Sequence, residues 1–465
     1  MGQGRPAARP SATRRVSADR PRATALAVLR AVRERDAYVN LELPRLLRER
    51  GLSGRDAALA TELTHGTVRR QGSYDAVLVA CLDRPLAQTD PVLVDVLRLG
   101  CHQLLTLRTP PHAAVSTSVV LARELRGRGA AGLVNAVLRR VAERDVDQWL
   151  SAVAPERATD PDGWLALVYS HPQWVVRALR DALVANSRDQ DELVDLLAAD
   201  NAAPEVALVA RPGLVEVGEL LDHGARPGRW SPYAAVLPDG DPARIPAVRD
   251  GRAGVQDEGS QVVALALAAA PVEGRDERWL DVCAGPGGKA ALLGALAARR
   301  DARLVASEIA PHRLELVRQT VAPLGDVVEL RRGDGRTVGA AEPGGYDRVL
   351  VDAPCTGLGA LRRRPEARWR RQPSDLAGLG RLQRELLTSA LDATRVGGVV
   401  AYATCSPHVA ETREVVADVL AARPDAEPVD LPALLPDISC QTGTFLQLWP
   451  HLHETDAMFC ALLRR

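Results

Sequence analysis

The chain has 465 residues, 46% of them hydrophobic, and its 59 basic side chains balance its 59 acidic ones. That length is enough for about three domains, and the null charge gives no general pull towards nucleic acid, so any such evidence must be local. Seven cysteines without a C-x-x-C pair argue against a disulfide scaffold and against a zinc site. No run reaches the roughly 18 apolar residues of a membrane helix, and a secretory leader is not seen, so a cytoplasmic protein with no membrane and no metal partner is expected.

Residues 1–21 carry Arg5, Arg9, Arg14, Arg15 and Arg20 among Gly, Pro, Ala and Ser, and read as a disordered basic tail. From 22 to 145 apolar residues recur at three- and four-residue spacing, as in Ala25, Val28, Leu29 and Val32, which predicts an all-helical domain. Residues 146–252 mix helical stretches with short strand-like runs such as 206–210, broken by Pro227-Gly228 and Pro238-Asp239-Gly240, and read as a small α/β connecting region. From 253 to 465 strands and helices alternate. Strands are expected near 279–282, 304–306, 327–330, 348–351 and 399–402, with a closing pair at 445–448 and 458–462. Such alternation predicts βαβ units and a parallel sheet, a Rossmann-like α/β fold.

The first of these strands runs into Asp281-Val282-Cys283-Ala284-Gly285-Pro286-Gly287-Gly288-Lys289. Glycines let the backbone approach a ligand, and a helix N-terminus offers free N–H groups. A phosphate-binding P-loop fails here, because Cys283 and Ala290 stand at two of its required positions. A weak dinucleotide fingerprint, Gly285-x-Gly287-x-x-Ala290, survives, as does a plain tight turn. Lys289 is the only lysine of the chain. Glu308 and Asp334 close the next two strands, where carboxylates can accept hydrogen bonds from a cofactor's ribose and base. Nothing local separates a dinucleotide from S-adenosylmethionine.

Two later strands each end on a cysteine, in Asp352-Ala353-Pro354-Cys355 and Thr404-Cys405-Ser406. A lone cysteine is more often an inert core residue. Two at the carboxyl ends of strands in one sheet would share the ligand crevice and suggest covalent chemistry. Directly after the first comes a run from Arg362 to Arg371 with six arginines around Trp369, which is expected to contact RNA.

Taken together, LDVCAGPGGK, DAPCTGLG and YATCSPHVAETRE resemble the RsmB/Sun-type RNA cytosine-5 methyltransferases in order and spacing. The helical part is similar to a NusB-type RNA-binding domain, through Asn40, Asp56, Glu62, Leu63, Gly66, residues 100–103, residues 113–115 and residues 133–139. The resemblance implies a class I S-adenosylmethionine-dependent methyltransferase acting on ribosomal RNA as a monomer. It implies Cys405 as the nucleophile that adds to carbon 6 of cytosine, Cys355 as the thiol that assists release, and Asp352 as the group that holds the base. It implies cofactor contacts from Cys283, Ala284, Gly285, Pro286, Gly287, Gly288, Lys289, Glu308, Asp334 and Asp352. Departures are Gly285 in place of the usual Ala, Ala290 in place of Thr, and Asp-Ala-Met-Phe at 456–459 in place of Asp-Gly-Phe-Phe. Another ribosomal or transfer RNA cytosine is an alternative target, and a non-catalytic RNA-binding or antitermination factor is an alternative class. A cytosine-5 DNA methyltransferase fits less well, since those enzymes attack with the Pro-Cys thiol and would not need Cys405.

Overall fold

The computed structural model describes residues 19–438 and 443–465. Most of the basic tail expected at 1–21 lies outside the described residues, but Arg20 and Pro21 already belong to a helix, Arg20–Arg35. Asp19 caps that helix by accepting from the Arg22 N–H, and Pro21 sits in its first turn, where no N–H is required.

The described chain divides into two units between Ser170 and His171. The first is all-helical, with its core made by fully buried side chains such as Leu63, Leu78, Leu97 and Leu138. Its longest helix, Pro111–Val141, is broken at Gly127, whose φ of 80° no other residue type adopts easily. Helices Val146–Val153 and Pro161–Val168 belong to this unit too. The Trp149 indole N–H donates to Val141 O at 2.8 Å, and the Ser73 hydroxyl donates to Leu167 O at 2.6 Å. The segment read as a connecting region is thus shared between the two units.

The second unit opens with helices Gln173–Ala185 and Leu193–Ala199 and an antiparallel sheet of β1 (Val206–Ala210), β2 (Arg226–Pro227), β3 (Ala234–Leu237) and β4 (Ala253–Val255), in the order β2-β3-β1-β4. The main sheet follows: β5 (Arg278–Asp281), β6 (Arg303–Glu308), β7 (Val328–Arg332), β8 (Tyr346–Asp352), β9 (Thr394–Thr404), β10 (Glu427–Val429), β11 (Leu446–Gln447) and β12 (Phe459–Arg464). Its order is β10-β12-β9-β8-β5-β6-β7, with β11 paired to β12.

Strands β5 to β9 pair parallel with one another, whereas β12 pairs antiparallel with both β9 and β10. The sheet is therefore mixed where alternation alone predicts a parallel one. The link between β11 and β12, residues 448–458, is shorter than the dozen or more residues of a helical crossover, and it returns the chain antiparallel.

Both faces of the sheet are buried. Along β6, Leu304 and Ala306 pack with Leu292 of the helix Gly288–Ala298, while Val305 packs on the other face with Leu386 of the helix Asp375–Ala393. This explains why the strands read as near-continuous apolar runs. Strand order reverses at β5, which lies between β6 and β8. In such sheets the ligand crevice opens at the carboxyl ends of the strands flanking that reversal.

Candidate active site

The loop after β5 is held by its own backbone. Ala284 N–H donates to Ser307 O at 2.9 Å and Gly287 N–H donates to Ala284 O at 2.7 Å, which folds the chain tightly against the end of β6. Gly287 has φ +110°, and a Cβ there would lie 2.9 Å from Thr320 Cβ and 3.1 Å from Val317 Cα. Pro286 O accepts from the Thr320 hydroxyl at 3.2 Å, and Gly288 begins the following helix.

Beside this loop lies a cavity of about 370 Å³ lined by Cys283, Glu308, Ile309, Asp334, Pro354 and Leu382, among others. Its wall combines apolar surface with a few fixed polar groups, the usual make-up of a small-molecule site. Glu308 is 1% exposed. It accepts from Ala310 N–H at 2.9 Å, from the Arg313 guanidinium at 2.8 Å and from Gly285 N–H at 3.2 Å, so its carboxylate is pinned at the cavity edge. Asp334 lies two residues beyond β7, where it accepts from Arg336 N–H at 3.0 Å and from the Arg336 side chain at 2.6 Å. The bond to Arg336 keeps its carboxyl below the usual carboxylate range.

A second cluster joins β5, β8 and β9. The Lys289 ammonium donates to Asp352 Oδ2 at 2.8 Å. Burial works against its charge, but Asp352 more than compensates and holds the ammonium pKa above the ordinary value. Cys355 Sγ and Cys405 Sγ lie 3.5 Å apart. Hydrogen bonding from Cys355 draws the Cys405 thiol below its ordinary pKa against burial and the Asp352 charge, with help from Arg364 and Lys289. The same bond and burial push the Cys355 thiol well up. The two shifts run in opposite directions, which favours Cys405 over Cys355 as the site of thiolate formation.

Two carboxylates escaped the reading of the sequence. Asp281, 1% exposed, accepts from Cys283 N–H at 3.2 Å, and its other oxygen is buried without a hydrogen-bond partner among the described residues. Burial and the neighbouring Asp352 push its pKa up to about 7. Its place at a strand end is the same signal that marked Glu308. Glu411, fully buried and six residues after Cys405, accepts from the N–H and hydroxyl of Thr356 in the loop that carries Cys355.

The arginine-rich run behaves differently from expectation. Arg368 is fully buried and donates to Asn201 Oδ1 at 2.9 Å and to Asp200 O at 3.1 Å. Arg362 donates to Glu454 O at 2.8 Å, and Arg363 holds buried Asp456 through two nitrogens. These three guanidiniums frame the loop instead of facing a phosphate, because buried charges must be paired. Sequence clustering could not distinguish the two uses. Among the described residues, no helix is long and apolar enough to cross a membrane, and no group of three or more His, Cys, Asp or Glu is placed to hold a metal ion.

Comparison with known proteins covers both units. Residues 266–464 match the family described as 16S rRNA methyltransferase RsmB/F, and residues 19–143 match the NusB family. A Mycobacterium tuberculosis protein named as a candidate methyltransferase is 54% identical over 457 residues, covering 97% of this chain and 98% of that one. Ribosomal RNA small subunit methyltransferase B of Xanthomonas campestris is 35% identical over 453 residues, covering 95% of this chain and 96% of its own length. The crystal structure of PH0851 shares the fold, with a TM-score of 0.79 at 22% identity over 96% of this chain and 99% of its own.

Proposed function

Because the chain belongs to the RsmB/F family of 16S rRNA methyltransferases, we propose that it methylates carbon 5 of a cytosine in 16S ribosomal RNA through a covalent bond between Cys405 and carbon 6. The observation that carries this reading is the thiol pair, 3.5 Å apart at the carboxyl ends of adjacent strands.

Carbon 5 of cytosine is a poor nucleophile. Addition of the Cys405 thiolate at carbon 6 turns the ring into an enamine, which makes carbon 5 reactive. Asp352 holds the base at its N3 edge and, with Lys289, handles the proton that N3 takes up on addition. S-adenosylmethionine, when bound in the cavity beside Cys283, Glu308 and Asp334, supplies an electrophilic methyl group. The fit is supported by Cys283, Glu308 and Asp334 around one cavity edge, with Gly285 N–H held by Glu308 beside it. After transfer a water takes the carbon 5 proton, the freed C–H electron pair re-forms the carbon 5–carbon 6 double bond as N3 returns its proton to Asp352, the carbon 6–sulfur bond breaks, and Cys405 departs as a thiolate that accepts a hydrogen bond from the Cys355 thiol 3.5 Å away. The target base must be unstacked to enter such a crevice.

We assign RNA selection to the NusB-like residues 22–145, a connecting role to 146–252 and catalysis to 253–465, in a cytoplasmic monomer. The experiment is a denaturing gel with labelled 16S RNA. Cys405→Ala should show neither methyl transfer nor adduct, whereas Cys355→Ala should accumulate a denaturation-resistant complex. An adduct from the Cys405 variant alone would reverse the two roles. Bisulfite sequencing of ribosomal and transfer RNA from a deletion strain identifies the cytosine; loss of a mark outside 16S RNA would overturn the assigned substrate.

A further inference from the structure

Between the two thiol loops lies a carboxylate that touches neither sulfur. Glu411 is fully buried. Its Oε1 accepts from Thr356 N–H at 2.8 Å and from Gln383 Nε2 at 3.2 Å, and its Oε2 accepts from the Thr356 hydroxyl. Thr356 Oγ1 also lies 3.1 Å from Ser406 Oγ. Gln383 donates a further bond to Pro354 O at 2.9 Å, and the Tyr402 hydroxyl donates to Glu411 O at 2.7 Å. The residues immediately after Cys355 and Cys405 are thereby joined to each other and to one anion.

A buried charge is costly unless its lone pairs are met by donors. Three donors from two side chains and one backbone N–H meet this one, and bonds to an ionised acceptor are stronger than neutral ones. An apolar residue would fill the space without that desolvation cost but could not tie the Cys355 loop to the Cys405 loop.

We propose that Glu411 is a positioning residue which, through Thr356 and Ser406, holds the two cysteine loops in the register that keeps their sulfurs in contact. The inference rests on the reading of Cys405 as nucleophile. The charged and titratable groups facing Cys405 are Cys355, Asp352, Arg364 and Lys289, with Arg363 also felt there. If the bracket slackens, the Cys355 donor is lost while the others stay. Cys405 then keeps less thiolate at neutral pH, and the elimination step loses its thiol.

The test uses the full chain with Thr356→Val, Thr356→Ser, Glu411→Gln and Glu411→Ala. For each, the pH dependence of Cys405 alkylation by iodoacetamide is read by peptide mass spectrometry, alongside kcat, KM for RNA and S-adenosylmethionine affinity. Thr356→Val should lower kcat by about a hundredfold, the scale of a misplaced reacting group. It should also move the alkylation midpoint to higher pH and leave KM and cofactor affinity unchanged. Thr356→Ser should restore both. Glu411→Gln keeps an acceptor for Thr356 N–H and should fall between wild type and Glu411→Ala. Should Glu411→Ala not fold, the Thr356 pair decides alone. An unchanged midpoint and kcat in Thr356→Val, or a loss that Thr356→Ser does not repair, overturns the proposal. Wild-type turnover in Cys405→Ala would instead overturn the nucleophile assignment, so the two failures are distinguishable.

Discussion

Gly287→Ala tests whether the cofactor loop is shaped by backbone conformation. At φ +110° an L-residue pays a steric penalty of roughly 1–2 kcal/mol or more. The new methyl would lie 2.9 Å from Thr320 Cβ and 3.1 Å from Val317 Cα. The second of these is backbone of the helix Pro311–Val321 and cannot rotate away. Thr320 is itself tied to Pro286 O and to Leu316 O, so it cannot withdraw without losing a bond. Overpacking adds about 1–3 kcal/mol, which brings the total to about 3 kcal/mol. Calorimetric unfolding should show the transition of the second unit lowered by about 5–10 °C, and titration should show weaker S-adenosylmethionine binding. A transition within about 2 °C of wild type, with unchanged affinity, would refute the argument that this turn requires glycine.

Three further outcomes follow from the electrostatics. Lys289→Met leaves Asp352 unpaired and removes a cation near Cys405. It should destabilise by about 2–4 kcal/mol, less than a fully buried pair because Asp352 is partly exposed, and should raise the pH at which Cys405 is alkylated; an unchanged alkylation profile would count against it. Asp281 has its folded pKa raised to about 7, above an unfolded value of about 3.9. The folded state thus binds the extra proton between these values, and stability falls as pH rises through that window. Asp281→Asn should flatten this dependence in pH-dependent urea unfolding, and a profile identical to wild type would exclude Asp281 as its source. For Cys355→Ala, the pH profile of single-turnover adduct formation should shift its rising limb to more alkaline pH, since Cys405 loses the donor that lowers its pKa; a limb at the wild-type position would show that the cations alone set the thiolate.

The second unit was legible in the sequence where local pattern and tertiary structure agree. Strands buried on both faces leave long apolar runs, and a strand-to-helix loop rich in glycine leaves its own mark, so β5 to β9 and residues 283–289 could be read directly. The antiparallel insertion of β12 could not, because pairing direction depends on how short a connection returns the chain, which composition does not record. Arg362, Arg363 and Arg368 misled for a related reason. A guanidinium on a surface and one buried against Asp456 or Asp200 O have the same local sequence, and only the partners, 93 and 168 residues away, decide between them. Glu411 was hidden likewise, since a carboxylate six residues after Cys405 gains meaning only when Thr356 arrives from 55 residues away.

The contrast between two glycines of the same loop gives the sharpest test of the cofactor edge. Gly285 stands where the resembling family usually carries Ala, and its φ is not in the left-handed region, so an added methyl meets no backbone strain. It would instead lie 2.5 Å from Glu308 Oε2 and 3.1 Å from Arg313 Cβ. The first neighbour is the far end of a side chain, and Oε2 can turn aside by giving up the bond from Gly285 N–H while Ala310 N–H and Arg313 still hold Oε1. Gly285→Ala should therefore leave the unfolding transition nearly unmoved, in contrast to Gly287→Ala, while displacing the carboxylate assigned to the ribose. The displaced carboxylate should weaken S-adenosylmethionine binding by about 1–2 kcal/mol, the scale of one imperfectly met polar group. A large fall in stability would mean that Glu308 cannot move and that the loop is more rigid than its contacts imply. Tighter binding would mean that the carboxylate meets the cofactor better once released from Gly285, and would remove the pinned geometry from the account of the site.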